Sequence, residues 1–126
     1  MSLRSPLGRV LGTGSAKEGS ARWWAERLSA VALIPLTLWF LFSLLLLPEL
    51  DYLTVHTWLS VPLSGFLAVL LVAVLTYHSY LGTTVVVEDY VHAIGAKLFL
   101  LLLLRFAYVL CGGASIFAIL RIAFGS

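Results

Sequence analysis

Residues Leu28–Leu47 read LSAVALIPLTLWFLFSLLLL, a stretch without a single charged side chain. As an α-helix these residues would be about 30 Å long, which matches the hydrocarbon thickness of a bilayer. Pro35 lies inside the stretch, but packed membrane helices tolerate proline, so it predicts a kink rather than a break. The stretch therefore predicts a transmembrane helix.

The composition of the whole chain agrees with this. Of its 126 residues, 61% are hydrophobic and only 11% are charged, whereas soluble domains are about half apolar and a quarter charged. This length allows one domain with at most about three or four spans. The single cysteine excludes an internal disulfide and a cysteine-built metal site. These features argue against a soluble enzyme.

Two further apolar runs, at about 61–87 and 97–122, predict two more spans, so the fold class is an all-α membrane protein with three transmembrane helices. Residues 1–21 are rich in glycine, serine and basic side chains, which predicts a flexible amino-terminal arm. Residues 48–62 and 88–97 are interpreted as short connections. The pair Gly112–Gly113 predicts a closely packed helix face.

The distribution of basic residues predicts the orientation. One side of the membrane would carry the arm, the start of the first span and the 88–97 connection, whereas the opposite side would have only Arg121, at the tail. Cytoplasmic segments carry the excess of lysine and arginine, so the amino terminus is expected in the cytoplasm and the carboxyl terminus outside. The basic residues on the predicted cytoplasmic side are Arg4, Arg9, Lys17, Arg22, Arg27 and Lys97.

His78 lies inside the second apolar run, and an ionisable side chain at that depth indicates a functional site. A neutral imidazole can ligate haem iron, transfer protons or hydrogen-bond a neighbouring helix. Gly82, one turn further on the same face, would leave room for a flat macrocycle. The other histidines, His56 and His92, fall in the two connections and cannot face His78 at its depth. A haem with two histidine ligands would therefore need its second one from another chain.

Asp89 and Tyr90 follow at the end of the same run. If the helix persists, Asp89 lies about three turns below His78 on nearly the same face. A tyrosine hydroxyl beside a carboxylate can donate a hydrogen bond to a carbonyl and relay a proton, although an interfacial tyrosine beside a loop acid is the plainer interpretation. Arg27 alone would be a snorkelling anchor. Arg105, about 12 Å into the membrane, needs an anion, backbone carbonyls or a partner subunit.

The three spans, Arg27 at the start of the first, and the spacing His78-x3-Gly82-x6-Asp89-Tyr90 resemble the second hydrophobic anchor subunit of succinate dehydrogenase, the D-type anchor of respiratory complex II. The resemblance implies that His78 is one axial ligand of haem b and that a C-type anchor supplies the other. It also implies that Tyr90 hydrogen-bonds the ubiquinone head group, with Asp89 beside it, and that Arg27 lies near the haem propionates.

The implied partners are the C-type cytochrome b anchor subunit, the iron–sulfur subunit, the flavoprotein subunit, quinone and membrane lipid, with no nucleic acid. The complex would oxidise succinate and reduce quinone in the bacterial cytoplasmic (inner) membrane, and the chain alone would be non-catalytic. A fumarate reductase anchor and a non-redox accessory or assembly subunit are the alternatives. The resemblance assigns no role to His92, where some relatives have a basic residue, or to Arg105.

Overall fold

The computed structural model describes the backbone of residues 6–125 and the side chains of residues 20–125. Within that part the chain forms four α-helices and no strand. Three of them contain segments that are long and apolar enough to cross a membrane, namely Ser20–Leu46, Pro62–Tyr90 and Ile94–Gly125. The predicted all-α class with three spans is confirmed. The helices are α1 (Pro6–Leu46), α2 (Tyr52–Ser60), α3 (Pro62–Tyr90) and α4 (Ile94–Gly125).

The helices extend beyond the apolar runs that predicted them. Helix α1 begins at Pro6 instead of near Leu28, and it continues through Pro35 without interruption. Hydropathy marks only the part of a helix that matches the bilayer, whereas the helix itself ends where its backbone hydrogen bonding stops. The flexibility of the 1–21 arm stays a prediction, and residues 1–5 lie outside the described residues.

The connection between the first two spans contains the short helix α2, which the sequence interpretation missed. Asp51 caps its amino terminus, and one carboxylate oxygen of Asp51 accepts a hydrogen bond from the Thr54 N–H at 3.0 Å. The hydrogen bonds from Thr54 lower the pKa of the Asp51 carboxyl. Val61 ends α2, and Pro62 begins α3 at a position where its missing N–H costs nothing.

Helix α3 is the centre of the molecule, because it packs against each of the other three helices. A hydroxyl pair joins it to α4. The hydroxyls of Thr83 and Tyr108 share a hydrogen bond at 2.7 Å, and Thr83 Oγ1 also lies 2.8 Å from the Ser79 carbonyl oxygen. The Tyr108 ring also packs edge-on against Tyr80, with ring centroids 5.8 Å apart.

Close packing between α3 and α4 depends on one member of the glycine pair. Gly112 is buried, and a Cβ atom there would lie only 2.8 Å from Thr76 Cγ2. A Cβ at Gly113 would meet nothing within 4 Å. The predicted packing role is therefore confirmed for Gly112, whereas Gly113 faces open space.

The described part of the chain buries very little. Its buried hydrophobic side chains are Leu36, Ala68, Leu71 and Leu81, and none of its large side chains is fully buried. Most of the apolar surface of the three long helices therefore faces outward, where lipid or other subunits can cover it. The bundle with a partner anchor subunit stays a prediction.

Candidate functional site: the interface between α1 and α3 around His78

His78 is half-buried on α3, and its ring contacts the first span. Its Nδ1 atom lies 2.8 Å from the hydroxyl oxygen of Ser29, which is 49 positions away in the sequence and only 7% exposed. The same hydroxyl donates a hydrogen bond to the carbonyl of Glu26, one turn earlier in α1, at 3.0 Å. The structure thus gives His78 a specific hydrogen-bond partner from another helix.

An ion pair joins the same two helices nearer their ends. Both terminal nitrogens of the Arg22 guanidinium donate to the Glu88 carboxylate, each at 3.0 Å. This is the two-point geometry that planar guanidinium and carboxylate groups favour. Together with the contact between Ser29 and His78, it fixes α1 and α3 as antiparallel neighbours. The start of the first span and the end of α3 thus lie at one end of the molecule, and its cytoplasmic location stays a prediction.

Asp89 and Tyr90 are the last residues of α3, so the helix persists from His78 to this pair. Val91 ends it by donating its N–H to the Val87 carbonyl at 3.0 Å. Asp89 lies eleven residues beyond His78, about 16 Å along the axis and about 20° away around it. Both side chains are exposed, and Tyr90 is 77% exposed. They are therefore available to a ligand or to another subunit.

Gly82 is exposed on α3, and a Cβ atom added there would meet nothing within 4 Å. Packing within the described part of the chain therefore does not require a glycine at this position. Glycine in the interior of a helix costs about 0.5–1 kcal/mol relative to alanine. The space beside Gly82 is open on the face that it shares with His78.

Arg27 and Ser29, the residue that contacts His78, leave different faces of α1. They are separated by about 200° around the helix axis. The Arg27 guanidinium instead lies over the Trp23 ring, 5.4 Å from its centroid, and the side chain is exposed. Its predicted proximity to haem propionates stays a prediction.

The other two histidines lie away from the contact between Ser29 and His78. His56 is on α2, where its ring lies 5.6 Å from that of Tyr52. The end of helix α2 lies near the carboxyl end of α4: Ser60 Oγ is 3.4 Å from the Ile122 carbonyl oxygen, while its hydrogen goes to the nearer His56 carbonyl at 2.8 Å. His92 is exposed between α3 and α4. This arrangement agrees with the expectation that neither residue faces His78 at its depth.

Arg105 is exposed on α4 and lines a cavity of about 280 Å³ between α3 and α4. Tyr80 and Tyr108 form part of the same wall. Among the side chains of residues 20–125, Arg105 makes no ion pair and no hydrogen bond. The sequence did not identify the group that pairs with the Arg105 charge, and the described residues do not supply one.

The sequence interpretation missed Ser29 and the ion pair between Arg22 and Glu88. Ser29 lies within the first apolar run, Arg22 was counted only as one of the basic residues that predict orientation, and Glu88 was placed in a connection. Their spacing contains one signal, because Arg22 and Ser29 are seven residues apart and so share a face of α1. Nothing in the sequence shows which face of α3 they meet.

Comparison with known proteins identifies the family. Residues 1–112 match the family model described as the succinate dehydrogenase/fumarate reductase transmembrane subunit. The chain is 38% identical over 90 residues to a succinate dehydrogenase hydrophobic membrane anchor subunit of Rickettsia bellii, with 70% of each chain covered. It is 28% identical over 89 residues to the protein of that name from Rickettsia conorii, covering 70% of this chain and 71% of the relative. The chain therefore belongs to the membrane-anchor family of succinate dehydrogenase and fumarate reductase.

Proposed function

We propose that this chain is the D-type anchor of a succinate:quinone oxidoreductase in a bacterial cytoplasmic membrane. In this role His78 co-ligates haem b together with a C-type anchor subunit. Asp89 and Tyr90 form part of the site that reduces ubiquinone with electrons from the iron–sulfur subunit. A flavoprotein subunit oxidises succinate, so the anchor catalyses nothing alone. Family membership and the three apolar helices support this proposal.

The observation that carries the haem assignment is the hydrogen bond between His78 Nδ1 and Ser29. With Nδ1 engaged, the remaining ring nitrogen, Nε2, is the one available to a metal. Gly82 leaves open space on the same face, which suits a flat group beside the helix. When bound there, haem b would supply a one-electron carrier within the membrane. The residues present therefore fit this group.

The quinone assignment rests on Tyr90 and Asp89. Both are exposed at the end of α3, and their position at an end of a spanning helix suits a head group that enters from the membrane. The Tyr90 hydroxyl can donate a hydrogen bond to a quinone carbonyl, and the neighbouring carboxylate can pass on a proton. Their proximity to the iron–sulfur subunit is part of the proposal.

The haem assignment is tested by absorption spectra of the purified complex. His78→Ala should remove the bis-histidine haem signal, whereas His56→Ala, which changes a histidine on α2, should leave it intact. Gly82→Leu should also reduce haem content, because its side chain would fill the open space. Gly95→Leu is the matched control, since a Cβ at Gly95 also meets nothing within 4 Å. A normal spectrum in His78→Ala would refute the ligand assignment.

The quinone assignment is tested by comparing two tyrosines of similar exposure. Tyr90 is 77% exposed and Tyr52 is 75% exposed. Tyr90→Phe should slow quinone reduction about tenfold if only a hydrogen bond is lost, and by about 100-fold or more if a proton relay is lost. Succinate oxidation with a soluble dye should be unchanged in this variant, and Tyr52→Phe should affect neither rate. Equal quinone reduction by both variants would refute the assignment.

A fumarate reductase anchor is the second candidate, because the matching family covers both enzymes. Both candidates use the same anchor chemistry and differ in the direction of electron flow. The purified complex should oxidise succinate with ubiquinone faster than it reduces fumarate with a low-potential quinol. The opposite ratio would favour the second candidate.

A further inference from the structure

The hydroxyl of Ser29 on α1 contacts the ring of His78 on α3. It is nearly completely buried and has two partners, the carbonyl of Glu26 and Nδ1 of His78. A serine that only completed its own helix would need the first of these alone, as Ser115 does with the Cys111 carbonyl at 2.8 Å. The second contact crosses from α1 to α3.

The direction of the hydrogen bond between Ser29 and His78 depends on which acceptor takes the Ser29 hydrogen. A hydroxyl has one hydrogen to donate, and a carbonyl can only accept. When the Ser29 hydrogen goes to the Glu26 carbonyl, the contact with His78 requires that Nδ1 carries a hydrogen and donates it. In the neutral imidazole this leaves the lone pair on Nε2.

We infer that Ser29 is a positioning residue, which holds His78 in the Nδ1–H tautomer and fixes the ring orientation so that Nε2 can ligate a metal. This inference rests on the proposed function, because it concerns the same histidine. Hydrogen bonds to the second nitrogen of a ligating imidazole orient the ring and raise the basicity of the ligand. A hydroxyl oxygen is a neutral acceptor, so the ligand stays a neutral imidazole.

The ion pair between Arg22 and Glu88 supports this role by fixing the register of the two helices. Arg22 lies two turns before Ser29 on the same face of α1, and Glu88 lies ten residues after His78 on α3. A shift of one turn between α1 and α3 would separate both pairs of residues. The histidine is thus oriented by the packing of the first span and not by its own helix alone.

The inference is tested in the complete purified complex by electron paramagnetic resonance and by redox titration of the haem. Ser29→Ala should shift the low-spin ferric signal and raise the midpoint potential, because a less basic ligand stabilises ferric iron less. Ser29→Thr retains the hydroxyl and should return both values toward those of the unmodified complex. Ser115→Ala, which removes a serine hydroxyl bonded only within α4, should change neither.

The outcomes separate the inference from the proposed function. If Ser29→Ala leaves the signal and the potential unchanged while His78→Ala removes the haem, the positioning role is wrong and the ligand assignment stands. If His78→Ala keeps the haem, both are wrong. Should the alanine variant fail to assemble, Ser29→Cys, which has a similar volume and a weak acceptor, must show the same shifts, and unchanged values there would refute the positioning role.

Discussion

Gly112 provides a quantitative test of how α3 and α4 pack. A Cβ atom at this position would lie 2.8 Å from Thr76 Cγ2 and 3.1 Å from Thr76 Oγ1. Ordinary contacts begin at 3.4 Å, so Gly112→Ala requires a local separation of about 0.6 Å. Thr76 Cγ2 and Oγ1 both lie close to the added Cβ, so a change between the two χ1 rotamers that threonine adopts in helices still leaves one γ atom in a close position. Over-packing of this kind costs about 1–3 kcal/mol.

Gly113 is the matched control, because it is the next residue in the same helix and a Cβ there meets nothing within 4 Å. Gly113→Ala should be neutral or stabilising by up to about 1 kcal/mol through helix propensity. The double variant Gly112→Ala/Thr76→Ala removes both of the closest threonine atoms and leaves only an ordinary contact. It should recover most of the stability that Gly112→Ala loses.

The assay is thermal dissociation of the purified complex, followed by native gel electrophoresis after fixed heating steps. The complex with Gly113→Ala should dissociate at or above the midpoint temperature of the unmodified complex, and the complex with Gly112→Ala clearly below it. The double variant Gly112→Ala/Thr76→Ala should dissociate at a temperature between those of Gly112→Ala and the unmodified complex. If Gly112→Ala and Gly113→Ala melt together, or if Thr76→Ala gives no recovery, the proposed steric contact is not what limits the approach of the two helices.

Three further predictions concern polar contacts. Arg22→Gln and Glu88→Gln should each reduce thermal stability of the complex by about 0.3–1 kcal/mol, since both side chains are more than a third exposed, and the exchanged pair Arg22→Glu/Glu88→Arg should recover part of it. Tyr108→Phe should cost about 0.6 kcal/mol in the same assay, because Thr83 keeps its bond within α3; a loss of several kcal/mol would contradict this. The hydrogen bonds from Thr54 lower the pKa of Asp51, so the ionised carboxylate stabilises α2 at pH values above the unfolded pKa, near 3.8, and this stabilisation is lost as the pH falls through the lower pKa of the folded state. Amide exchange over 51–60, corrected for intrinsic rates, should therefore accelerate at that low pH. The Asp51→Asn variant, whose cap does not titrate, should show no such acceleration.

The three spans were predictable because each is an apolar run of bilayer length, and the bilayer imposes that length whatever the neighbours are. The ends of the helices were not, because a helix can continue into the interface with polar residues. Helix α2 was missed although the sequence contains a signal for its start, an aspartate at the N-cap position 51. The apolar residues around it resembled an interfacial connection.

The candidate site was predictable only in part. His78 and Gly82 share one helix, so the period of 3.6 residues relates them, and the same rule relates Asp89 to His78 once α3 continues to Tyr90. Ser29 belongs to another helix, and its contact depends on the register between the two helices. Register between two spanning helices is set by a few side-chain contacts, and no local pattern in either helix encodes it.

The central position of α3 has a consequence for biosynthesis. The ribosome delivers α1 first, and the helix that it packs against, α3, follows only after the 47–61 segment has been made. During that interval the Ser29 hydroxyl has no histidine beside it, because its partner His78 belongs to α3. If the helices pair in the order of their synthesis, α3 brings His78 and Glu88 to α1 before α4 packs against α3. In that order of assembly, the contact between His78 and Ser29 forms before α3 and α4 have packed together.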